Sequence, residues 1–305
     1  MDGLPINAPL PVCTRQQTLK TCIRCVGVGL HGGRRVNLTL RPAPAGHGIV
    51  FRRVDLGRDI PARFDHVAEA RLSTALIHPT DPSARVGTIE HLMAAFAGTG
   101  IDNALVELDA PELPILDGSA SPFVFLIDCA GIQEQDAPRP LIEVLRRVRV
   151  TQGESWVELR PARDGFQMEL SIDFPAAAIG RQSAMLRLTP QSFRHQLSRA
   201  RTFALAEEVA QLRAAGLGQG GSLDNAVVVD HDRILNPGGL RMPDEFARHK
   251  LLDAVGDLAL AGAPIRGRFL AHRSGHTLNN RLLHALLNSA GACRLVTPEP
   301  ISAAA

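Results

Sequence analysis

The 305-residue chain carries 33 basic and 31 acidic residues for a net charge of +2, with 45% of its residues hydrophobic and 21% charged. That balance excludes the concentrated positive field of a nonspecific nucleic-acid binder, and the apolar content excludes disorder and a fibrous class. Lys20 and Lys250 are the only lysines among the 33 basic residues, leaving 31 arginines, and tyrosine is absent. A chain of this length is expected to hold about two domains, each with its own core.

Residues 1–11 lack a basic segment followed by an apolar run, and no stretch approaches the roughly 18 apolar residues of a membrane span, so a cytoplasmic protein is expected. Cys13, Cys22, Cys25, Cys129 and Cys293 are too few and too scattered for a disulfide framework, which fits a reducing compartment.

Residues 18–41 alternate and are rich in Val, Leu and Thr, with glycines 27, 29, 32 and 33 supplying a turn, which predicts a two-stranded β opening. A β-leaning stretch over 63–78 follows. Ile89, Leu92, Met93 and Phe96 then recur at i, i+3, i+4 and i+7, which predicts an amphipathic helix over 88–97 with Thr88 as its N-cap. Residues 103–108 read as a strand, the Pro-rich segment 110–118 as a loop, 121–129 as a short helix, and 137–140, with two prolines, as a domain boundary.

Beyond that boundary, strands are expected over 146–150, 156–159 and 167–174, a Gly-rich loop over 216–221, a strand over 226–229, and a long helix over 244–261 closed by Gly262 and Pro264. His276 is expected in a loop before a helix over 278–288. Residues 88–108 and 246–271 share one order, a helix followed by a strand, and are read as a duplication of one α+β unit.

On the helix over 244–261, His249, Asp253 and Asp257 recur every four residues and so form one stripe on an otherwise apolar helix. A His and an Asp at i and i+4 can hold one metal from one face, although such pairs more often mark a solvated surface. His91, beside Glu90 at the start of the other amphipathic helix, is the best candidate for a third ligand; by itself the pair also fits a solvated helix N-terminus. Adjacent His and Glu would divide the labour, the first holding a metal and the second taking a proton from water. His276 could be a further ligand, a general acid or an ordinary N-terminal polar residue, and His31 is equally open. Cys22 and Cys25 form a zinc half-motif with no second pair and are read as core or strand residues. The glycines at 218–221 lack the Lys-Ser/Thr ending of a phosphate loop.

The segments 18–20 (TLK), 27–31 (GVGLH), 40–44 (LRPAP), 88–92 (TIEHL), 100–103 (GIDN), 109–119 (DAPELPILDGS), 201–203 (RTF), 220–226 (GGSLDNA) and 249–257 (HKLLDAVGD) run in order through most of the chain. Together they closely resemble the UDP-3-O-acyl-N-acetylglucosamine deacetylases, zinc amidases of lipid A biosynthesis in Gram-negative bacteria. The resemblance implies an α+β fold of two domains with similar topology, 1–138 and 139–305, each a sheet with two helices, the helices sandwiched between the sheets. It implies one Zn²⁺ per chain on His91, His249 and Asp253, and a catalytic set of Glu90 as general base, Thr202 at the oxyanion, and His276 held cationic by Asp257.

By the same resemblance the substrate is an acylated UDP-amino sugar, contacted by Lys250, Phe203, Phe174, Leu30 and His31. Its acyl chain would enter a passage built from an insert over about 203–228 and lined by Val209, Leu223, Ala226 and Val228. The implied protein is a monomer without nucleic-acid partners or membrane insertion. Three positions depart from the pattern: Ser73 stands where relatives often have cysteine, Ser155 where some have lysine, and Ala204 where glycine is common.

Overall fold

In the strand Arg35–Pro42 the side chains of Val36, Leu38 and Leu40 are buried and those between them are more exposed, the period of two that lays one face of a sheet on a core. The computed structural model describes residues 14–68 and 72–297, so Cys13, the expectation for residues 1–11 and the closing alanines lie outside the described residues. Arg35–Pro42 belongs to a five-stranded sheet ordered Ile23–Val28, Arg35–Pro42, Ala104–Leu108, Ile49–Arg53, Arg58–Pro61. Its central strand, Ala104–Leu108, runs antiparallel to Arg35–Pro42 and parallel to Ile49–Arg53.

A seven-stranded sheet follows the same logic around Ile265–His272. That strand runs parallel to Leu141–Val144 and Phe166–Asp173 and antiparallel to Ser155–Arg160. Val148–Gln152, Arg181–Arg187 and Cys293–Val296 complete the sheet. Smaller sheets join Arg15–Leu19 to Ile132–Pro138, Val67–Ala68 to Ala75–His78 and Asp81–Val86, and Phe203–Leu205 to Val227–Asp230 and Arg233–Ile234. Among the described residues, no sheet draws strands from both sides of residues 139–140.

Among the described residues six α-helices accompany the sheets: α1 (Glu90–Thr99), α2 (Ser121–Ala130), α3 (Pro190–Ser192), α4 (Ala206–Ala214), α5 (Glu245–Ala259) and α6 (His276–Leu287). None is long and apolar enough to cross a membrane. The architecture is thus mixed α+β with several sheets. α1 precedes the central strand of the first large sheet and α5 that of the second, and the two helices pack against each other. Gly256 permits this close crossing, since a Cβ there would lie 2.0 Å from the Glu90 carbonyl oxygen. α5 also packs on Phe166–Asp173, Arg181–Arg187 and α6, and α1 on α2, so one apolar core runs through both halves.

Several local expectations change. The β opening has three strands, because Arg15–Leu19 leaves the predicted hairpin to pair with Ile132–Pro138. Thr88 is not the N-cap of α1: that position is Ile89, while Thr88 has φ 57° and donates its hydroxyl to Glu112 Oε1 at 3.0 Å. His276 is the first residue of α6 rather than part of a preceding loop. Cys22 is exposed ahead of its strand, so only Cys25 of that pair packs against the core.

Candidate metal centre and active site

α1 and α5 are buried around most of their circumference, so the polar residues they carry are taken out of water together. His91, on the first turn of α1, and His249 and Asp253, one turn apart on α5, are all buried, and one ligand atom from each lies within 4.8 Å of the others. Asp253 Oδ1 is 3.3 Å from His249 Nε2 and 3.7 Å from His91 Nε2, and it has no hydrogen-bond partner. A buried carboxylate oxygen without a donor, facing two imidazole nitrogens, suits a cation.

The protonation pattern fits the same role. The Nδ1 of His249 faces the Ala200 carbonyl oxygen at 3.0 Å; donating there directs the Nε2 lone pair toward Asp253 and His91. Burial, then the neighbouring His249, pushes the His91 pKa down to about 3, which keeps its imidazole neutral as a ligand must be. His249 is lowered as well, chiefly by burial. Burial opposes the charge on Asp253, but His249 and Lys250 outweigh it and hold the carboxyl below its ordinary range. Two neutral imidazoles and a carboxylate, all buried, match the donor set of a one-zinc site.

Further buried ionisable groups couple to this triad. Glu90, 4% exposed, is engaged through Oε2, which accepts the Thr74 backbone N–H at 3.0 Å. Burial raises its pKa to about 7, where a carboxylate can take up a proton and return it. His276 presents Nδ1 to Asp257 at 2.9 Å and is 17% exposed. Burial works against its charge, yet the Asp257 carboxylate more than compensates and lifts the imidazole to about 9, so it is cationic at neutral pH. Asp257 also accepts Thr74 Oγ1 at 2.6 Å and Asn279 Nδ2 at 2.8 Å.

Lys250, with 19% of its side chain exposed, places Nζ 2.7 Å from Asp253 Oδ2. Burial disfavours its charge, but Asp253 reverses the balance and its pKa rises. The remaining sequence candidates have the following local contacts. Phe203 packs edge-on against Phe174, Phe246 and, at 6.2 Å between ring centroids, His249. Thr202 is held by its backbone, donating to Gly118 O and accepting from Val227 N. The turn carrying Leu30 and His31 accepts hydrogen bonds from Gly220 N and Gln219 N, and both ring nitrogens of His31 are buried without partners. Val209 lies on α4 and Val228 on the adjoining strand, with Leu223 and Ala226 between them.

This arrangement agrees with the comparison by sequence. The family model described as UDP-3-O-acyl N-acetylglycosamine deacetylase matches residues 16–288. The chain belongs to this family. UDP-3-O-acyl-N-acetylglucosamine deacetylases from Idiomarina loihiensis, Shewanella violacea and Actinobacillus pleuropneumoniae (serotype 3, strain JL03) are 50%, 49% and 47% identical to it over 287, 288 and 289 residues. Each alignment covers 93% of this chain and 93 to 94% of the relative.

Within the deacetylase fold, several residues that shape the site escape a reading by motif. Thr74 and Asn279 bind Asp257, Gly256 admits the helix crossing, and Glu245, fully buried, accepts the Arg201 guanidinium at 2.8 Å beside Thr202. Asn279 stands three residues after His276, a helical spacing that links it to the same face. Thr74 precedes a strand with no local signal of any role.

Proposed function

We propose that the chain hydrolyses the N-acetyl group of UDP-3-O-[(3R)-3-hydroxyacyl]-N-acetylglucosamine, releasing acetate and the free amine, the committed step of lipid A biosynthesis. The observation that carries this reading is the convergence of a buried two-histidine, one-aspartate cluster with a raised-pKa glutamate and an aspartate-paired histidinium. His91, His249 and Asp253 would hold a zinc ion, which would supply Lewis-acid chemistry toward water and the acetamide carbonyl. Glu90 takes the proton from the attacking water. His276 keeps Nδ1 on Asp257 and offers its other nitrogen, from which a proton passes to the departing amine. The Thr202 hydroxyl donates to the oxygen that gains charge in the tetrahedral state.

Lys250 and the aromatic pair Phe174 and Phe203 flank the site and suit the anionic and planar parts of a nucleotide sugar. No residue of α4 is fully buried and Leu223 is 41% exposed, so the apolar side chains Val209, Leu223, Ala226 and Val228 are incompletely packed within the chain. An acyl chain lying among them gains about 0.8 kcal/mol for each CH₂ it buries. We assign residues 1–138 and 139–305 to two α+β domains whose helices pack between their sheets. The separation of all sheets at 139–140 and the α1–α5 contact support that division. A cytoplasmic monomer without nucleic-acid partners completes the reading, in keeping with the net charge of +2.

The deciding experiment measures acetate release from the acylated UDP-sugar by the zinc-loaded protein and by Glu90→Ala. Glu90→Ala should keep one zinc and lose most turnover. Binding of the UDP-sugar by the zinc-loaded protein without acetate release would overturn the assignment.

A further inference from the structure

Asp257 is 2% exposed, and a carboxylate so buried must be supplied with donors. It has three: His276 Nδ1, Asn279 Nδ2 and the hydroxyl of Thr74, whose Oγ1 is 2.6 Å from Asp257 Oδ1. The first two come from α6, in the same half of the chain as Asp257, but Thr74 comes from the first half, 183 residues away. Its backbone is committed as well. The Thr74 N–H donates to Glu90 Oε2 at 3.0 Å, and the Thr74 carbonyl accepts the Ile89 N–H at 3.3 Å. One residue, itself 3% exposed, therefore grips the start of α1, the carboxylate at its first position, and the carboxylate that orients His276.

From this geometry we propose that Thr74 is a positioning residue of the deacetylation reaction, coupling the carboxylate that accepts a proton to the histidine pair that gives one up. The inference rests on the roles given to Glu90 and His276 under Proposed function. The backbone bond fixes which oxygen of Glu90 is engaged, and any residue but proline at 74 retains it. The hydroxyl fixes the rotation of the Asp257 carboxylate, and only Ser or Thr retains that. Without it Oδ1 loses its shortest donor, and the carboxylate turns about its remaining bonds to Asn279 and His276. The imidazole turns with it and no longer aims its outer nitrogen at the leaving amine.

The test compares Thr74→Val, which keeps the shape and removes the donor, with Thr74→Ser, which keeps the donor, in zinc-loaded protein. A hydrogen bond to a charged group governs rates on the order of 10- to 100-fold, so kcat of Thr74→Val should fall by that amount while KM for the acylated UDP-sugar stays within about twofold. Thr74→Ser should restore most of kcat, and both should hold one zinc. In an Asp257→Ala background the valine substitution should cost less than about twofold, because the bond it removes is already gone.

An unchanged kcat in Thr74→Val, a loss carried by KM or by zinc content, a serine variant as poor as valine, or an undiminished effect in Asp257→Ala would each overturn the proposal. If Thr74→Val does not fold, Thr74→Ala replaces it, and failure of both would show Thr74 to be structural. An inactive wild-type protein would overturn the deacetylase reading instead, so the two failures are distinguishable.

Discussion

Gly256→Ala puts a side chain into one of the tightest backbone approaches among the described residues. A Cβ at position 256 would stand 2.0 Å from the Glu90 carbonyl oxygen and 2.8 Å from its carbon, whereas ordinary contact begins at 3.4 Å. Backbone cannot rotate out of the way as a side chain can, so α1 and α5 must part by about 1.4 Å, the difference between 3.4 and 2.0 Å. Bonds from nitrogen and oxygen to zinc tolerate only about 0.2 Å. His91 on α1 then cannot keep its bond while His249 and Asp253 on α5 keep theirs.

Overpacking of a core costs about 1–3 kcal/mol, with backbone clashes at the upper end, and each kcal/mol lowers Tm by about 2–4 °C in a chain of a few hundred residues. Gly256→Ala is therefore expected to melt at least about 5 °C lower and to bind zinc about 100-fold more weakly or worse. Chelator competition measures the affinity and calorimetry the melting. Gly238→Ala serves as control, since a Cβ there meets nothing within 4 Å. A Gly256→Ala protein with wild-type zinc affinity and unshifted Tm would show that the helix crossing does not set the metal geometry.

The pH dependence follows from two shifts of opposite use. Glu90, raised to about 7 by burial, must be ionised to accept a proton, so activity is lost as pH falls through its pKa; a bound dication lowers that limb below 7. His276, raised to about 9, must be protonated to donate, so activity is lost as pH rises through about 9. The profile of kcat/KM is expected to be a bell, and Asp257→Asn should move its basic limb to lower pH; an unmoved limb would contradict the pairing. Lys250→Arg should lower kcat/KM by at least about tenfold, because a planar guanidinium cannot reproduce a point charge 2.7 Å from Asp253 Oδ2; Arg24→Lys, at an exposed site, should change it less than twofold. Chelation should abolish acetate release and lower Tm, and zinc should restore both; full activity at zero metal content would exclude the metal assignment.

What could be read from sequence is what depends on neighbours along the chain. The 3.6-residue period placed His249, Asp253 and Asp257 on one stripe of α5, and the apolar residues around them marked the helix as buried. The family resemblance pointed to Lys250, one of only two lysines, which the structure sets against the Asp253 carboxylate. Alternation over 18–41 found the strand Arg35–Pro42, and strands were also expected where Ala104–Leu108 and Phe166–Asp173 lie. The family resemblance supplied the link between His91 and α5, which spacing alone left open.

Tertiary structure decided the rest. Arg15–Leu19 pairs with Ile132–Pro138 more than a hundred residues later, which no local pattern signals. Thr88 has a capping residue's chemistry, but its hydroxyl is drawn to Glu112 and its backbone takes a positive φ. Thr74 carries no motif at all, and it matters because two halves of the chain close around it. A hydrogen bond or a metal site is set by distances of a few ångströms across the core. Those distances arise from packing α1 on α5, at a crossing whose closeness depends on the missing side chain of Gly256.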